Sequence, residues 1–371
     1  MNLLRKMQGK FFAQQVAKFC KRTMTSNRLS LIGESLNDKT LIKIQGSEVI
    51  PYLQGLITND MTNFSRGSNI IYTMLLNNSG RVMYDTLIYR TGEPDVFLVE
   101  CDKLVMNEVK RHLRLYRVRR NIEVESVANE YTPWAVFYAP KKEDQEDAQP
   151  EKTYFNTEEV ITCQDPRLRA LGFRVVMPKS YSFQQLSKLF CHQKLEESTP
   201  ATCYKYLRYR LGIGEGVQDH PINKCFPLES NCDFLHGVSF NKGCYVGQEL
   251  TARVYHTGVV RKRLMPLTLT RKVDEGTKTV QTVGGTVVGS IRGFENDACL
   301  ALLRVEQVMK MPNLMIDGDP CKVIIPDWWP KELPKKHAAK KKQANVYVSI
   351  CSLTNAIGTR IKFFRPFFTN P

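Results

Sequence analysis

Along residues 40–60, "TLIKIQGSEVIPYLQGLITND", apolar positions first alternate and then recur at helical spacing, which predicts a strand followed by a short helix. Ser47-Glu48 supply helix-start chemistry between the two. "IIYTMLLNNSGRVMYDTLIYR" (70–90) predicts two strands joined by Asn77-Asn78-Ser79-Gly80, a cluster that tolerates positive φ. "DVFLVECD" predicts another strand, and "KLVMNEVKRHLRLYRVRR" a helix with Leu104, Val105, Val109, Leu113 and Tyr116 at helical spacing. "NIEVESV" closes the unit as a strand. Strands and helices alternate but hairpins also occur, so the pattern fits α+β better than a purely parallel sheet.

Further on, "SFQQLSKLF" and "CYKYLRYRLGI" predict helices, completing an α+β body over residues 34–258. Residues 139–159, "APKKEDQEDAQPEKTYFNTEE", are charged, proline-flanked and lack branched aliphatics, the composition of a flexible surface insertion. From residue 259 the pattern changes. "RLMPLTL", "VGGTVVGSIRGF", "ACLALLRV" and "PCKVIIP" are short apolar runs with glycine-rich turns, which predict a small β-barrel over 259–330. Residues 331–371 form a basic tail expected to be disordered, opening with "KELPKKHAAKKKQ" and continuing into an apolar run.

Charge alters this picture only at the ends. The chain of 371 residues carries a formal charge of +16, but residues 1–33 hold seven Lys/Arg and no acid, and 331–371 hold nine Lys/Arg and one acid. The body between is close to neutral, which argues against a nucleic-acid partner. Residues 1–33 are acid-free, with Leu4, Met7, Phe11, Phe12 and Phe19 opposite Lys6, Lys10 and Lys21 on a helical wheel. This is the composition of a mitochondrial presequence, and it addresses the chain to the matrix. No stretch approaches the roughly eighteen consecutive apolar residues of a membrane span. The eleven cysteines include no CxxC pair, which fits a reducing compartment and excludes a self-contained zinc site or disulfide framework.

The candidate chemistry lies in "NKGCYVGQEL", residues 241–250. Gly243 and Gly247 permit a tight or left-handed backbone, Lys242 beside Cys244 would favour the thiolate, and Gln248, Glu249 and Arg253 bring polar groups of both signs. Spacing alone leaves two readings open: a chemical site, or a turn in which cysteine is a filler.

Several ordered segments carry a resemblance. "YLQGLITND" (52–60), "LLNNSGRVMYD" (75–85), "DPRLRALGFR" (165–174), "LRYRLGIGEG" (207–216) and the long run around Lys242-Gly243-Cys244-Tyr245, Gly247-Gln248-Glu249 and Arg253 resemble the YgfZ-type branch of the folate-binding T-protein superfamily. Within that branch they are similar to mitochondrial iron-sulfur cluster assembly factors. The resemblance covers roughly residues 35–330. It implies a ring-like α+β aminomethyltransferase fold with a C-terminal β-barrel, and maturation of mitochondrial 4Fe-4S client proteins with A-type scaffold partners. Cys244 would either ligate a cluster shared with the partner's cysteines, or reduce or hold an intermediate while two 2Fe-2S units fuse. A cluster ordinarily needs four ligands, mostly thiolates, and the sequence presents one. Lys242, Gly243, Tyr245, Gly247, Gln248, Glu249 and Arg253 would shape the loop or contact partner and ligand.

The resemblance also implies tetrahydrofolate or a related pterin, with Asp85 as its contact, and the rival function of a tetrahydrofolate-dependent one-carbon transferase. Those enzymes carry an adjacent acidic pair where this chain reads Tyr84-Asp85, which argues against aminomethyl transfer. Cys225 and Cys232 in "KCFPLESNCDF" are candidate second ligands, and Glu229 and Asn231 are expected to brace the cavity wall. His256 is open to a ligand role or a structural one on a strand.

Overall fold

A computed structural model describes residues 30–139, 159–190, 194–271, 273–274, 276–311 and 313–331. Nearly all of the expected presequence and of the 139–159 insertion, and the tail after Lys331, lie outside the described residues. One boundary needs correction. Strand β1 spans Leu31–Ser35, its first two residues are buried, and it pairs with strands on both sides. The folded body therefore begins by residue 31, and a leader ending at residue 33 would cut into an inner strand.

Alternation along the strands determines the layers. β2 (Lys39–Gln45), β3 (Ile70–Leu76), β4 (Val82–Arg90), β5 (Val96–Asp102) and β6 (Glu123–Ser126) form an antiparallel sheet in the order β3-β4-β5-β2-β6. Every residue of β3 is buried, because both faces of this sheet are covered. Ile70, Tyr72, Met74 and Leu76 enter one core, while Ile71 and Leu75 enter a second. The second core is closed by α1 (Val49–Gln54), α2 (Thr62–Ser65) and α3 (Met106–Tyr116), whose Val49, Leu53, Phe64, Val109 and Leu113 all bury there. Contrary to the expectation for Ser47-Glu48, α1 has no side-chain cap.

The first core is shared with a second sheet, ordered β10-β1-β7-β9-β8, made by β7 (Tyr131–Tyr138), β8 (Ile161–Gln164), β9 (Phe173–Pro178) and β10 (Leu195–Glu197) with β1. Ala135 and Phe137 face the shared core, and Trp134 and Val136 face away, beneath α4 (Phe183–Leu189). α4 is one helix start that follows sequence rules fully, with a Ser182/Gln185 capping box. The chain then passes through α5 (Tyr204–Leu211), α6 (Gly216–Asp219) and α7 (Gln248–Thr257).

The expected barrel is present and closed. β11 (Lys262–Leu269), β12 (Thr279–Thr282), β13 (Val287–Glu295), β14 (Ala298–Arg304), β15 (Asn313–Ile316) and β16 (Asp319–Val323) pair in the order β11-β14-β13-β12-β15-β16, and β16 returns to β11. Closure leaves no free strand edge. A short helix, α8 (Val305–Lys310), follows β14. The barrel is joined to the body through Arg263, which is buried and pairs bidentately with Asp233 at 2.8 and 2.9 Å. Asn231 completes the joint, donating to the Leu264 carbonyl at 2.8 Å.

Candidate functional site

The loop that carries Cys244 is held by segments distant in sequence. Lys242 is turned inward, and its Nζ donates to the carbonyls of Gln54, Ile57 and Asn59 at 2.7, 2.7 and 2.6 Å. Ser239 N donates to Thr58 O and Val246 N to Gly55 O. Just upstream, Thr58 Oγ1 and Asn59 Nδ2 donate to the carbonyls of Gly237 and His236. Residues 54–59 are therefore a rack on which residues 236–246 hang. This corrects the expected role of Lys242: its ammonium serves main-chain carbonyls. Burial pulls the Lys242 amine down to about 8, yet three acceptors match the three protons of the charged form.

On the other side of the cysteine, Tyr245 is buried in the first core, beneath the Lys242 Nζ at 4.9 Å from its ring centroid. Its backbone N donates to Gln248 Oε1 at 3.1 Å. Gly247 has φ +76°, and a Cβ there would lie 2.3 Å from Asn77 O and 3.2 Å from Gly80 Cα. The turn at Asn77–Gly80 thus touches the cysteine loop through two glycines, which explains why only glycine suits residue 247. Gly243 behaves differently: its φ is unexceptional and a Cβ there would meet nothing within 4 Å. It leaves open space before the thiol, and the tight backbone expected of it is absent.

Cys244 itself is exposed. It stands between two anchored neighbours, so its position is fixed by the body although the side chain faces solvent. Beyond it the chain enters α7, and Gln248, Glu249 and Arg253 are helical residues. Glu249 and Arg253 form an exposed i,i+4 pair at 3.7 Å, worth little in stability. His256 also lies on α7, where a strand was expected. The ring of Tyr255 stacks on Phe240 with centroids 3.5 Å apart and planes 10° apart, pinning the start of the loop to the end of the helix.

The structure separates the other candidates from this loop. Cys225 and Cys232 are buried in the first core, and burial pushes both thiols up, so neither is placed as a second cluster ligand. A Cβ on Gly237 would lie 2.6 Å from Cys232 Sγ, which shows how closely that sulfur is packed. Among the described residues, no three His, Cys, Asp or Glu side chains are grouped to hold a metal ion. Glu229 is half-buried and accepts from Leu264 N through its carbonyl; with Asn231 it braces the joint to the barrel.

Asp85 belongs to a buried polar core that periodicity gives no means of finding. Both its oxygens accept from Gly216 N at 3.1 Å, at the start of α6. Nearby, Arg167 reaches Asp165 and Glu215 at 2.7 Å, and Arg174 joins Glu100 at 2.9 Å and Glu215. Arg208 pairs with Asp219 at 3.0 Å, and Lys39 lies 3.5 Å from Glu215. Burial would raise the Glu215 carboxyl, but Arg174, Arg167, Lys39 and Arg208 overcome it and hold the group well below the carboxylate range. Burial raises Glu100 despite Arg174. These residues are the reason for "DPRLRALGFR" and "GIGEG": both segments supply the network.

The network also fills the space where a pterin was expected. The cavity lined by Lys39, Tyr72, Asp85, Glu100, Asp102 and Arg167 measures about 10 Å³, room for about one water. Small-molecule sites run to roughly 300–1,000 Å³. Asp85 is committed to Gly216, and a folate ring does not fit between these side chains as they stand.

Comparisons agree with this architecture. A family model described as the GCVT N-terminal domain matches residues 16–138, and one described as the CAF17 C-terminal beta-barrel domain matches residues 261–331. In fold, the chain is similar to the glycine cleavage system aminomethyltransferase T from Bartonella henselae, with a TM-score of 0.62 and 13% identity over 83% of this chain and 89% of that one. The chain is 34% identical to the mitochondrial iron-sulfur cluster assembly factor IBA57 of Mus musculus and of Homo sapiens, in each case over 80% of this chain and 84% of the relative. The homologue from Dictyostelium discoideum is 30% identical over 64% of this chain. A mitochondrial protein like these relatives, the chain belongs to the IBA57 family of iron-sulfur cluster assembly factors.

Proposed function

We propose that the chain acts in the mitochondrial matrix in the maturation of 4Fe-4S proteins, supplying Cys244 as one thiolate ligand to a cluster completed by an A-type scaffold partner. The cluster is cargo, passed on to client apoproteins. One observation carries the reading: among the described residues Cys244 is the single exposed cysteine, and it is set between the half-buried Lys242 and the buried Tyr245, both anchored. A lone thiol cannot hold a cluster that takes four ligands, mostly thiolates, so the other donors belong to a second molecule. Binding replaces one existing ligand on iron with the Cys244 sulfur, and the thiol proton leaves to solvent. No electron transfer is required for this step.

The anchors serve that exchange. A preorganised donor loses little conformational freedom when the cluster arrives, and the open space at Gly243 leaves room for a partner's loop beside the sulfur. The rival reading, tetrahydrofolate-dependent one-carbon transfer, is opposed by the filled cavity at Asp85 and by Tyr84 in place of a second acid. Anaerobic reconstitution with an A-type partner tests both. Wild type should develop cluster absorption in a complex with the partner, and Cys244→Ser should lose it. Undiminished absorption with Cys244→Ser, or folate-dependent amine release by the wild type, overturns the proposal.

A further inference from the structure

The cysteine loop makes no use of the outward face of α3 and the turns that flank it, residues 103–120. The inward face is ordinary: Val105, Val109 and Leu113 bury in the second core. Outward, Leu104, Leu115 and Val118 are 71%, 72% and 73% exposed, among the most exposed large apolar side chains described. Around them stand Lys103, Lys110, Arg111, Arg114, Arg117, Arg119 and Arg120, against Glu108 as the one acid within the segment. Arg114 and Arg117 donate to the carbonyls of Val124 and Ile122, and Arg120 lies 3.9 Å from Glu48. Lys103, Lys110, Arg111 and Arg119 have no ion pair among the described residues. The acids of neighbouring β6, Glu123 and Glu125, are engaged by Gln45 and Lys43.

Val118 adds an independent sign. Its φ is +51°, a region that β-branched residues avoid, and the residue stays largely exposed there. Asparagine or glycine would fold better there.

From this face we infer a peripheral docking surface for an anionic phospholipid bilayer, with Leu104, Leu115 and Val118 entering the interface and the surrounding lysines and arginines meeting headgroup phosphates. Aliphatic tips ringed by long cationic side chains are what an interfacial helix presents to lipid. Each cation near an anionic surface adds attraction, and the local excess is large while the folded body as a whole is near neutral. An acidic protein would need a surface shaped to take three tips spread along the whole helix. A bilayer needs no such shape, because its interface yields around them. The surface shares no residue with the Cys244 loop, so it does not depend on the cluster-ligand assignment.

Cosedimentation of the full chain tests the inference, using vesicles of equal parts phosphatidylcholine and phosphatidylglycerol, with pure phosphatidylcholine vesicles as reference. Wild type should bind the anionic vesicles, more weakly as salt rises. Arg111→Glu/Arg119→Glu should cut partitioning by more than about tenfold. Leu115→Ser/Val118→Ser, which keeps every charge, should cut it about tenfold. This second variant separates docking by the helix from attraction through the basic termini, which it leaves unchanged. Val118→Asn should bind vesicles less while melting higher than wild type, an outcome misfolding would not produce. Wild type that ignores anionic vesicles overturns the inference, as does Leu115→Ser/Val118→Ser binding at full strength. Retention of wild type on polyglutamate without vesicle binding assigns the face to an acidic protein and equally overturns it.

Discussion

Replacing Lys242 by methionine distinguishes an anchor from a thiolate stabiliser. Methionine keeps the length and apolar stem but removes three charge-assisted hydrogen bonds, to the carbonyls of Gln54, Ile57 and Asn59. At about 1.5 kcal/mol each, the lower end for bonds to a charged group, they contribute about 4–5 kcal/mol. Burial of the half-exposed ammonium takes back about 2 kcal/mol, leaving a net loss of about 2–3 kcal/mol. A body of roughly 280 residues has an unfolding entropy of about 0.6 kcal/mol/K, so the melting temperature should fall by about 4 °C. The assay pairs a melt with the pH dependence of Cys244 alkylation. An anchoring lysine predicts a lower melting temperature, faster alkylation at every pH and an unchanged pH midpoint. An unchanged melting temperature with the alkylation midpoint moved to higher pH would refute the reasoning and restore Lys242 as partner of the thiol.

Gly247→Ala should destabilise the fold by about 2 kcal/mol or more, since it combines a left-handed backbone with a Cβ 2.3 Å from Asn77 O, whereas Gly243→Ala should stay within about 0.5 kcal/mol; urea midpoints decide. Arg174→Met leaves Glu100, Asp165 and Glu215 short of a buried cation and should cost about 3–5 kcal/mol, against under about 0.5 kcal/mol for Arg253→Met at the surface. Glu215 and Asp165 are held below their unfolded values, so they contribute stability present above about pH 4.5 and lost as pH falls through their lower folded values. Glu100, raised by burial, works in the opposite direction and offsets part of this. Urea midpoints should therefore hold near neutral pH and drop below about pH 4.5; a profile flat to about pH 3 would contradict it.

What the sequence showed and what it concealed follow from the range of the forces involved. The apolar run Ile70–Leu76 and the glycine-rich turns after residue 259 are local signals, and both the strand and the barrel were legible from them, whereas the covering of the sheet on both faces was not. Cys244 was legible as a candidate because glycine and charge mark the loop in sequence. The direction of Lys242 was not, since its three acceptors lie more than 180 residues upstream. Helix α7 was hidden because Gly247 ends a turn and caps a helix at once. The buried network escaped for a related reason: Asp165, Arg167, Arg174 and Glu215 read as surface residues until packing places them together. That packing also commits Asp85 to Gly216 N, so the charges that seemed able to greet a ligand satisfy one another.

The most direct test of the central claim is native mass spectrometry of the anaerobically reconstituted complex with an A-type partner. It would compare wild type, Cys244→Ser and the core variant Cys232→Ala. The account predicts a cluster-bearing complex for wild type and for every folded molecule of Cys232→Ala, and its absence for Cys244→Ser. A cluster-bearing complex of the same mass increment with Cys244→Ser, or one lost only with Cys232→Ala, would contradict it.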